Sequence, residues 1–313
     1  MDSPTQVVFR AVTGDLSAAE WCCRVCHGDT RPAGRCWGRA ANREFELRQC
    51  SGCGFVFVAD PWLELERIYD SAYYEGRGAD PRVDFEGERR HPQTTIRRHE
   101  WVGIVRRVGS LVPLTAESTW LDYGCGLGGF VAFLHRLGYR GAIGFEPSPA
   151  ARDLALPGVR LLPPGQLEEG LRQFDVVTAI DVMEHVSDPV VELTRMRTLL
   201  RPGGLLFVMT GNVQRHRNRV SSWRYVNPDF HISFFEPRTL AIAMEKAGLR
   251  PAFPGYGPGW TEILRYRVLK NLWRHRDHPL DGLVPWSVVC RVVDRWIGLS
   301  GQPVGWSPLP LEA

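Results

Sequence analysis

The chain has 313 residues, 44% of them hydrophobic, enough to bury a substantial core and one small additional module. A formal net charge of +3 is too mild to imply nucleic acid by itself, and no run of about 18 apolar residues exists that could span a membrane. Basic charge is almost all arginine, Lys246 and Lys270 being the only lysines.

From the N-terminus, residues 1–58 read as a zinc ribbon behind a short disordered start. Cys23-Arg24-Val25-Cys26 and Cys50-Ser51-Gly52-Cys53 are two C-x-x-C pairs separated by residues 27–49, each with a glycine close behind, Gly28 and Gly54. Four thiolates complete the tetrahedron of a Zn2+ ion and leave no open position, so the expected metal is structural, with Cys23, Cys26, Cys50 and Cys53 as ligands. Cys22, Cys36 and His27 are alternatives for one of the four. A start at Met1-Asp2 without a signal peptide points to a cytoplasmic protein, where disulfides are disfavoured. Residues 59–94 form a connector that opens at Asp60-Pro61, contains Tyr69, Tyr73 and Tyr74, and runs polar and glycine-rich to about His91. It reads as surface loop, with a tyrosine reaching a neighbouring pocket as the alternative.

Ile96, Trp101, Ile104, Val105, Val108 and Leu111 recur at helical spacing and open a larger domain, residues 95–256. Thr119 to Tyr123 supply its first strand, and Phe130, Val131, Leu134 and Leu137 the following helix. The glycines between them occupy a tight strand-to-helix turn, where backbone approaches a ligand closely. Gly124, Gly126 and Gly129 also satisfy the G-x-G-x-x-G spacing of dinucleotide turns. Electrostatics separates the two readings: Asp122, two residues before the first glycine, would repel a pyrophosphate at the helix N-terminus. It suits S-adenosylmethionine, which brings an ammonium and a sulfonium. Glu146, at the end of a second strand from Gly141 to Phe145, stands where such folds place a ribose-binding carboxylate. Cys125 is a small packing residue in the turn, and Cys290 sits in an apolar run as core.

This stretch resembles motif I of class I S-adenosylmethionine-dependent methyltransferases, and three further blocks continue the resemblance. Phe174 to Ile180 followed by Asp181-Val182-Met183-Glu184-His185 is similar to the family's fourth strand and D-V-x-E-H signature. Leu200-Arg201-Pro202-Gly203-Gly204 is similar to L-K/R-P-G-G, and His231-Ile232-Ser233-Phe234-Phe235-Glu236-Pro237 to the segment before the last core helix in the ubiquinone-biosynthesis O-methyltransferase-like branch. The resemblance covers about residues 95–255. It implies an α/β fold: a Rossmann-like, seven-stranded sheet with helices on both faces, carrying the ribbon at one end and a C-terminal helical extension at the other. The cofactor contacts it implies are Asp122, Gly124, Cys125, Gly126, Gly128, Glu146, Pro147 and Asp181. After Val159 to Leu162 the usual polar residue is missing, so Gln166 or the backbone of Leu167 is the expected adenine contact. No Asn/Asp-Pro-Pro-Tyr motif follows the fourth strand, which argues against a nucleobase amine as acceptor.

Residues 257–313 read as two amphipathic helices, Thr261 to His275 and Val284 to Ile297, and a short tail, with Trp260, Trp273, Trp286 and Trp296 in or beside them. They form an insertion between the last two core strands, packed on the domain or on a second copy in a homodimer. Arg265, Arg267, Lys270 and Arg274 leave a membrane surface or an anionic ligand as the alternative.

The expected reaction is methyl transfer to a small-molecule acceptor, a hydroxyl oxygen of a secondary metabolite. An in-line displacement mainly needs alignment, and a hydroxyl acceptor also needs a base. His231 is the first candidate and His185 the second; Tyr225 and Asp229 lie in the segment expected to shape the acceptor pocket. Three alternatives stay open: C- or N-methylation of a sugar or other metabolite, a ribbon gripping RNA through Arg24, Arg31, Arg35, Arg39 and Arg43, and a non-catalytic cofactor-binding scaffold.

Overall fold

The computed structural model describes residues 22–77, 84–168, 174–272, 274–297 and 304–306. The expected disordered start, Trp273 and the tail beyond 306 lie outside them.

Strands β1 (Thr30–Gly38), β2 (Arg43–Cys50) and β3 (Val56–Val58) form the N-terminal sheet. β1 and β2 make an antiparallel hairpin with a register shift between Pro32 and Gly34. The connector is not the expected surface loop over its described residues. It folds into α1 (Leu65–Ile68), a π turn at Tyr73–Arg77 and α2 (Phe85–Arg90). Tyr69, Tyr73, Tyr74 and Phe85 pack ring on ring, at 5.1–5.5 Å, and against Leu127 and Ala151. Four aromatic side chains bury enough apolar area to override the polar residues between them.

The larger sheet and its cover follow as α3 (Arg97–Gly109), β4 (Trp120–Tyr123), α4 (Gly129–Arg136), β5 (Ile143–Phe145), α5 (Pro149–Asp153), β6 (Leu161–Leu162), α6 (Pro164–Glu168), β7 (Phe174–Ile180), α7 (Pro189–Leu199) and β8 (Leu200–Met209). Beyond them come β9 (Ser233–Phe234), α8 (Pro237–Lys246), β10 (Arg250–Ala252), α9 (Trp260–Asn271), α10 (Trp286–Ile297) and β11 (Val304–Trp306). Seven strands pair in the order β10-β11-β8-β7-β4-β5-β6. The run from β8 to β6 is parallel, whereas β11 is antiparallel to both β8 and β10. The Rossmann-like sheet is therefore present, and α9 and α10 are the insertion between its last two strands in sequence.

Alternate residues of β8 face opposite layers, as strand geometry requires. Leu206 and Val208 join Leu193 and Met196 of α7 and Leu240 and Met244 of α8. Leu205, Phe207 and Met209 join Trp101 and Ile104 of α3, Phe130 and Leu134 of α4, and Trp260 and Ile263 of α9. Each face is thus closed by helices.

The ribbon is continuous with this core. All three residues of β3 are buried, and an edge so placed needs a hydrogen-bonding partner. β9 supplies it, pairing antiparallel through Val56–Phe234 and Phe57–Ser233 to give a sheet ordered β1-β2-β3-β9. Phe55 packs on Phe235 at 5.2 Å between ring centres.

α3 and α9 approach at two glycines. A Cβ on Gly103 would stand 2.5 Å from the carbonyl oxygen of Gly259 and 2.6 Å from Ile263 Cγ1. Gly103→Val is expected to lower stability by about 1–3 kcal/mol through overpacking. An unchanged thermal-unfolding midpoint would mean that α9 does not lie against α3 in solution.

Candidate active site and metal centre

Parallel strands β4, β5 and β7 end side by side, and the glycine turn leaves β4 at that edge. Gly124 (φ +73°) and Gly128 (φ +80°) hold left-handed conformations, and a Cβ on either would press at 2.7 Å on Val182 or Val159. Phe85 of the connector sits over the turn, 3.8 Å from where a Gly126 Cβ would be.

Two buried carboxylates flank the turn. Asp122 Oδ1 accepts a hydrogen bond from Thr178 Oγ1 at 2.8 Å, and burial pushes its pKa up to about 7. Glu146 accepts from Gly126 N and Ser148 N, both at 2.8 Å, and burial pushes it to about 7 as well. Negative charge around a turn free of side chains fits a cationic ligand and opposes a pyrophosphate. Cys125 Sγ packs against Gly144, and burial, reinforced by the charges of Asp122 and Glu146, pushes its thiol pKa far up, which suits packing and not nucleophilic chemistry. Pro147 is exposed, its carbonyl accepting from Arg152 at 2.8 Å. Gln166 is exposed on α6, while the Leu167 side chain is buried in the core.

Asp181 lies at the same edge with φ +54° and is already engaged. Arg267 of α9 donates to both its oxygens, at 2.9 and 3.2 Å, and also lies 2.9 Å from Glu100 on α3. Burial alone would raise the Asp181 pKa; Arg267 overrides it and holds the carboxyl below the usual range. Sequence reasoning noted Arg267 only as one of several basic residues, and missed Glu100 and Arg97, which lies 3.3 Å from Glu100, altogether. An acid placed between apolar positions of a core helix, Glu100 beside Trp101, was the available signal.

The catalytic candidates meet where β7 runs into a 3-10 turn, Met183–His185. The His185 and His231 rings are 4.9 Å apart, and Tyr225 stacks on His231 at 4.4 Å. His231 Nδ1 donates to the Tyr225 carbonyl at 2.6 Å, and His185 Nδ1 to the Phe230 carbonyl at 2.9 Å. The Tyr69 hydroxyl is 2.8 Å from His185 Nδ1, which brings the connector to this centre. Glu184 is fully buried and accepts from the hydroxyls of Tyr225 and Thr210. Asp229 does not join the cluster. Its two oxygens accept from Ala40 N and Ala41 N, each at 3.0 Å, and so fasten the β1–β2 hairpin.

The ribbon cysteines converge as expected. One sulfur from each of Cys23, Cys26, Cys50 and Cys53 lies within 4.8 Å of the others, the pairs 23/53 and 26/50 at 3.4 Å, and none is in a disulfide. A tetrahedral zinc thiolate needs sulfurs roughly 3.8 Å apart, so the set fits the ion. The two turns are equivalent: N–H groups of Val25 and Cys26 point at Cys23 Sγ, and those of Gly52 and Cys53 at Cys50 Sγ. In the first turn the left-handed residue is His27 (φ +61°), the counterpart of Gly54 (φ +79°). Arg24 is no surface contact. It donates to the carbonyls of Ser187, Val58 and Ala59 and stacks over Phe57, clamping the ribbon to the core. Arg35 and Arg43 are paired with Glu44 and Asp60.

A family model described as a methyltransferase domain matches residues 94–252, and the chain belongs to that family. The sheet order and the glycine turn agree with the resemblance to class I S-adenosylmethionine-dependent methyltransferases. The ubiquinone biosynthesis O-methyltransferase of Acinetobacter baylyi is 32% identical over 152 residues, 42% of this chain and 62% of that protein. That of Caulobacter vibrioides is 38% identical over 169 residues, 52% of this chain and 51% of that protein. The chain thus spans less than two thirds of the length of these relatives. Among solved structures, a methyltransferase from Aquifex aeolicus is similar at 14% identity and a TM-score of 0.41, over 59% of this chain and 90% of that one. No helix of the described residues is long and apolar enough to cross a membrane.

Removing one partner of a buried ion pair costs about 3–5 kcal/mol. Arg267→Ala, which takes the arginine from Asp181 and leaves Glu100 with Arg97 at 3.3 Å, is expected to fall in that range in denaturant unfolding; a loss below about 1 kcal/mol would mean that the insertion does not neutralise this edge.

Proposed function

We propose that the protein transfers a methyl group to a hydroxyl oxygen of a small-molecule acceptor, a secondary metabolite, with a structural zinc ion in its ribbon. S-adenosylmethionine, when bound, supplies the methyl group on a sulfonium. The observation that carries the reading is the joint placement of His231, His185, Tyr225 and Glu184 at the sheet edge that also bears the glycine turn. The names of the relatives, O-methyltransferases of ubiquinone biosynthesis, support oxygen as the acceptor atom.

Asp122, Gly124, Cys125, Gly126, Gly128, Glu146 and Pro147 are the residues that would hold the cofactor. Its cationic end would sit by Asp122, and its ribose hydroxyls would take the remaining lone pairs of Glu146. Asp181 acts from behind, through Arg267. Since its Nδ1 donates to a carbonyl, His231 keeps the lone pair on Nε2, the nitrogen that would take the acceptor proton. His185, turned the same way, is the alternate base, and Tyr225 orients His231. The adenine contact falls to the backbone around Gln166 and Leu167. Asp229 acts in support of the ribbon hairpin. The clamping role of Arg24 and the paired Arg35 and Arg43 weigh against RNA as substrate. A labelled-methyl assay on hydroxylated metabolites tests the reaction, and transfer confined to carbon or nitrogen would overturn it.

The carboxylates give the cofactor site a pH signature. Both have folded pKa values near 7, above the unfolded values of about 4, so their ionisation destabilises the ligand-free fold as pH rises between roughly 4 and 7. Cofactor affinity should run the other way. Between pH 6 and pH 8, S-adenosylmethionine is expected to gain about tenfold per carboxylate relative to the neutral thioether product. Calorimetry giving the same pH dependence for both ligands would remove Asp122 and Glu146 from the recognition of charge.

A further inference from the structure

The Tyr69 hydroxyl and the Phe230 carbonyl share one atom of His185: Nδ1 is 2.8 Å from the first and 2.9 Å from the second. A carbonyl can only accept, and two lone pairs facing each other at that distance would repel, so Nδ1 carries a hydrogen and donates it. The tyrosine oxygen beside the same N–H then accepts as well, and its own hydrogen is left over. Among the described residues His185 is the one hydrogen-bond partner of this hydroxyl, which leaves a donor without an acceptor beside the histidine pair.

Placement makes the second argument. The Tyr69 ring is held edge-on against Tyr73 at 5.1 Å and His185 at 5.9 Å. Its main-chain carbonyl accepts from Ser148 Oγ at 3.1 Å, and Ser148 N donates to Glu146 at 2.8 Å. One residue of the connector thus reaches from the carboxylate proposed for the cofactor ribose to the histidines proposed for the acceptor. Burial, reinforced by the neighbouring Tyr73, Tyr74, Glu184 and Glu146, pushes the hydroxyl pKa well above the usual tyrosine value, so the group keeps its proton and serves as a donor. We propose that Tyr69 is a further catalytic residue, whose hydroxyl donates a hydrogen bond to the acceptor oxygen that receives the methyl group. The inference deepens the O-methylation reading and rests on it. As the acceptor O–H bond breaks and its proton passes to the histidine base, negative charge gathers on that oxygen and strengthens the hydrogen bond from Tyr69. The oxygen then bonds to the methyl carbon, and the carbon–sulfur bond breaks with its electron pair passing to sulfur. Tyr69 ends as it began, protonated.

Two measurements test the role. Nitrogen-15 NMR of histidine-labelled protein saturated with S-adenosylhomocysteine reads the His185 tautomer, with His185→Gln to assign the signal. Hydrogen on Nδ1 is expected; hydrogen on Nε2 alone would mean that Tyr69 already donates to Nδ1, and would overturn the proposal whatever is methylated. Tyr69→Phe keeps the ring and the carbonyl contact with Ser148 and loses only the hydroxyl. In the labelled-methyl assay, its kcat/KM for the hydroxylated metabolite that wild-type protein methylates is expected to fall at least about tenfold, with affinity for S-adenosylhomocysteine and the unfolding midpoint unchanged. The pH at which the rate levels off should rise by about one unit, because the acceptor oxygen has lost a donor that favours its ionised form. A purely structural role for the ring would leave that pH where it is, and an unmoved profile or wild-type kcat/KM would contradict the role of the hydroxyl. The two readings fail separately. Transfer confined to carbon or nitrogen contradicts O-methylation and this role with it, whereas full-rate O-methylation by Tyr69→Phe contradicts the role of Tyr69 alone.

Discussion

The segment His231–Phe235 is held from both sides, and the edge that carries His185 and His231 depends on that double attachment. On one side Val58 N donates to the Ile232 carbonyl at 2.9 Å, and β3 pairs with β9. On the other, Ile232 N donates to the Glu184 carbonyl at 2.7 Å, and Ser233 Oγ donates to the Val186 carbonyl at 2.7 Å. His231 is therefore brought to His185 by backbone hydrogen bonds, which a side-chain contact alone would not fix so firmly. The same strand carries the ribbon, since Asp229 just before it fastens the β1–β2 hairpin. A zinc ion held by the four cysteines, as proposed, would therefore reach His231 at a distance: the two cysteine turns lead into β3, and β3 pairs with β9.

The opposite wall comes from the far end of the chain. α9 packs on α3 and sends Arg267 to Asp181 and Glu100, while Asp277 beyond it takes His99 at 2.6 Å and Arg98 at 3.0 Å. The connector closes the third side through Tyr69 and Phe85. Three segments outside the sheet therefore converge on the carboxyl ends of β4 and β7, where an open α/β sheet offers its crevice. Each contributes a different force: main-chain hydrogen bonds from the ribbon, ion pairing from α9, aromatic packing from the connector.

Local chemistry was legible in the sequence, and long-range partnership was not. The glycine turn, Asp122 and Glu146 announce themselves because backbone approach and charge are written in adjacent residues. The cysteine pairs do the same, since ligand spacing is a property of a short turn. The seven-stranded sheet and the place of the insertion were what the resemblance to the methyltransferase family implied. The connector was misjudged because glycine and charged residues outnumber Tyr69, Tyr73, Tyr74 and Phe85, whose mutual packing appears only in three dimensions. Asp229 looked like a pocket residue for a similar reason: its partners, Ala40 and Ala41, lie 189 and 188 residues away in sequence. Glu184 was read only as part of a signature, because nothing local reveals that its donors would be uncharged.

Hydrogen–deuterium exchange before and after zinc removal tests the link from ribbon to active edge most directly. Stripping the metal is expected to speed exchange at the amides of Ile232 to Phe235 along with those of β3, while the amides of β4 and β7 stay protected. If Ile232 to Phe235 kept their protection after the ribbon lost its metal, the catalytic edge would be independent of the ribbon, and the account given for it would be wrong.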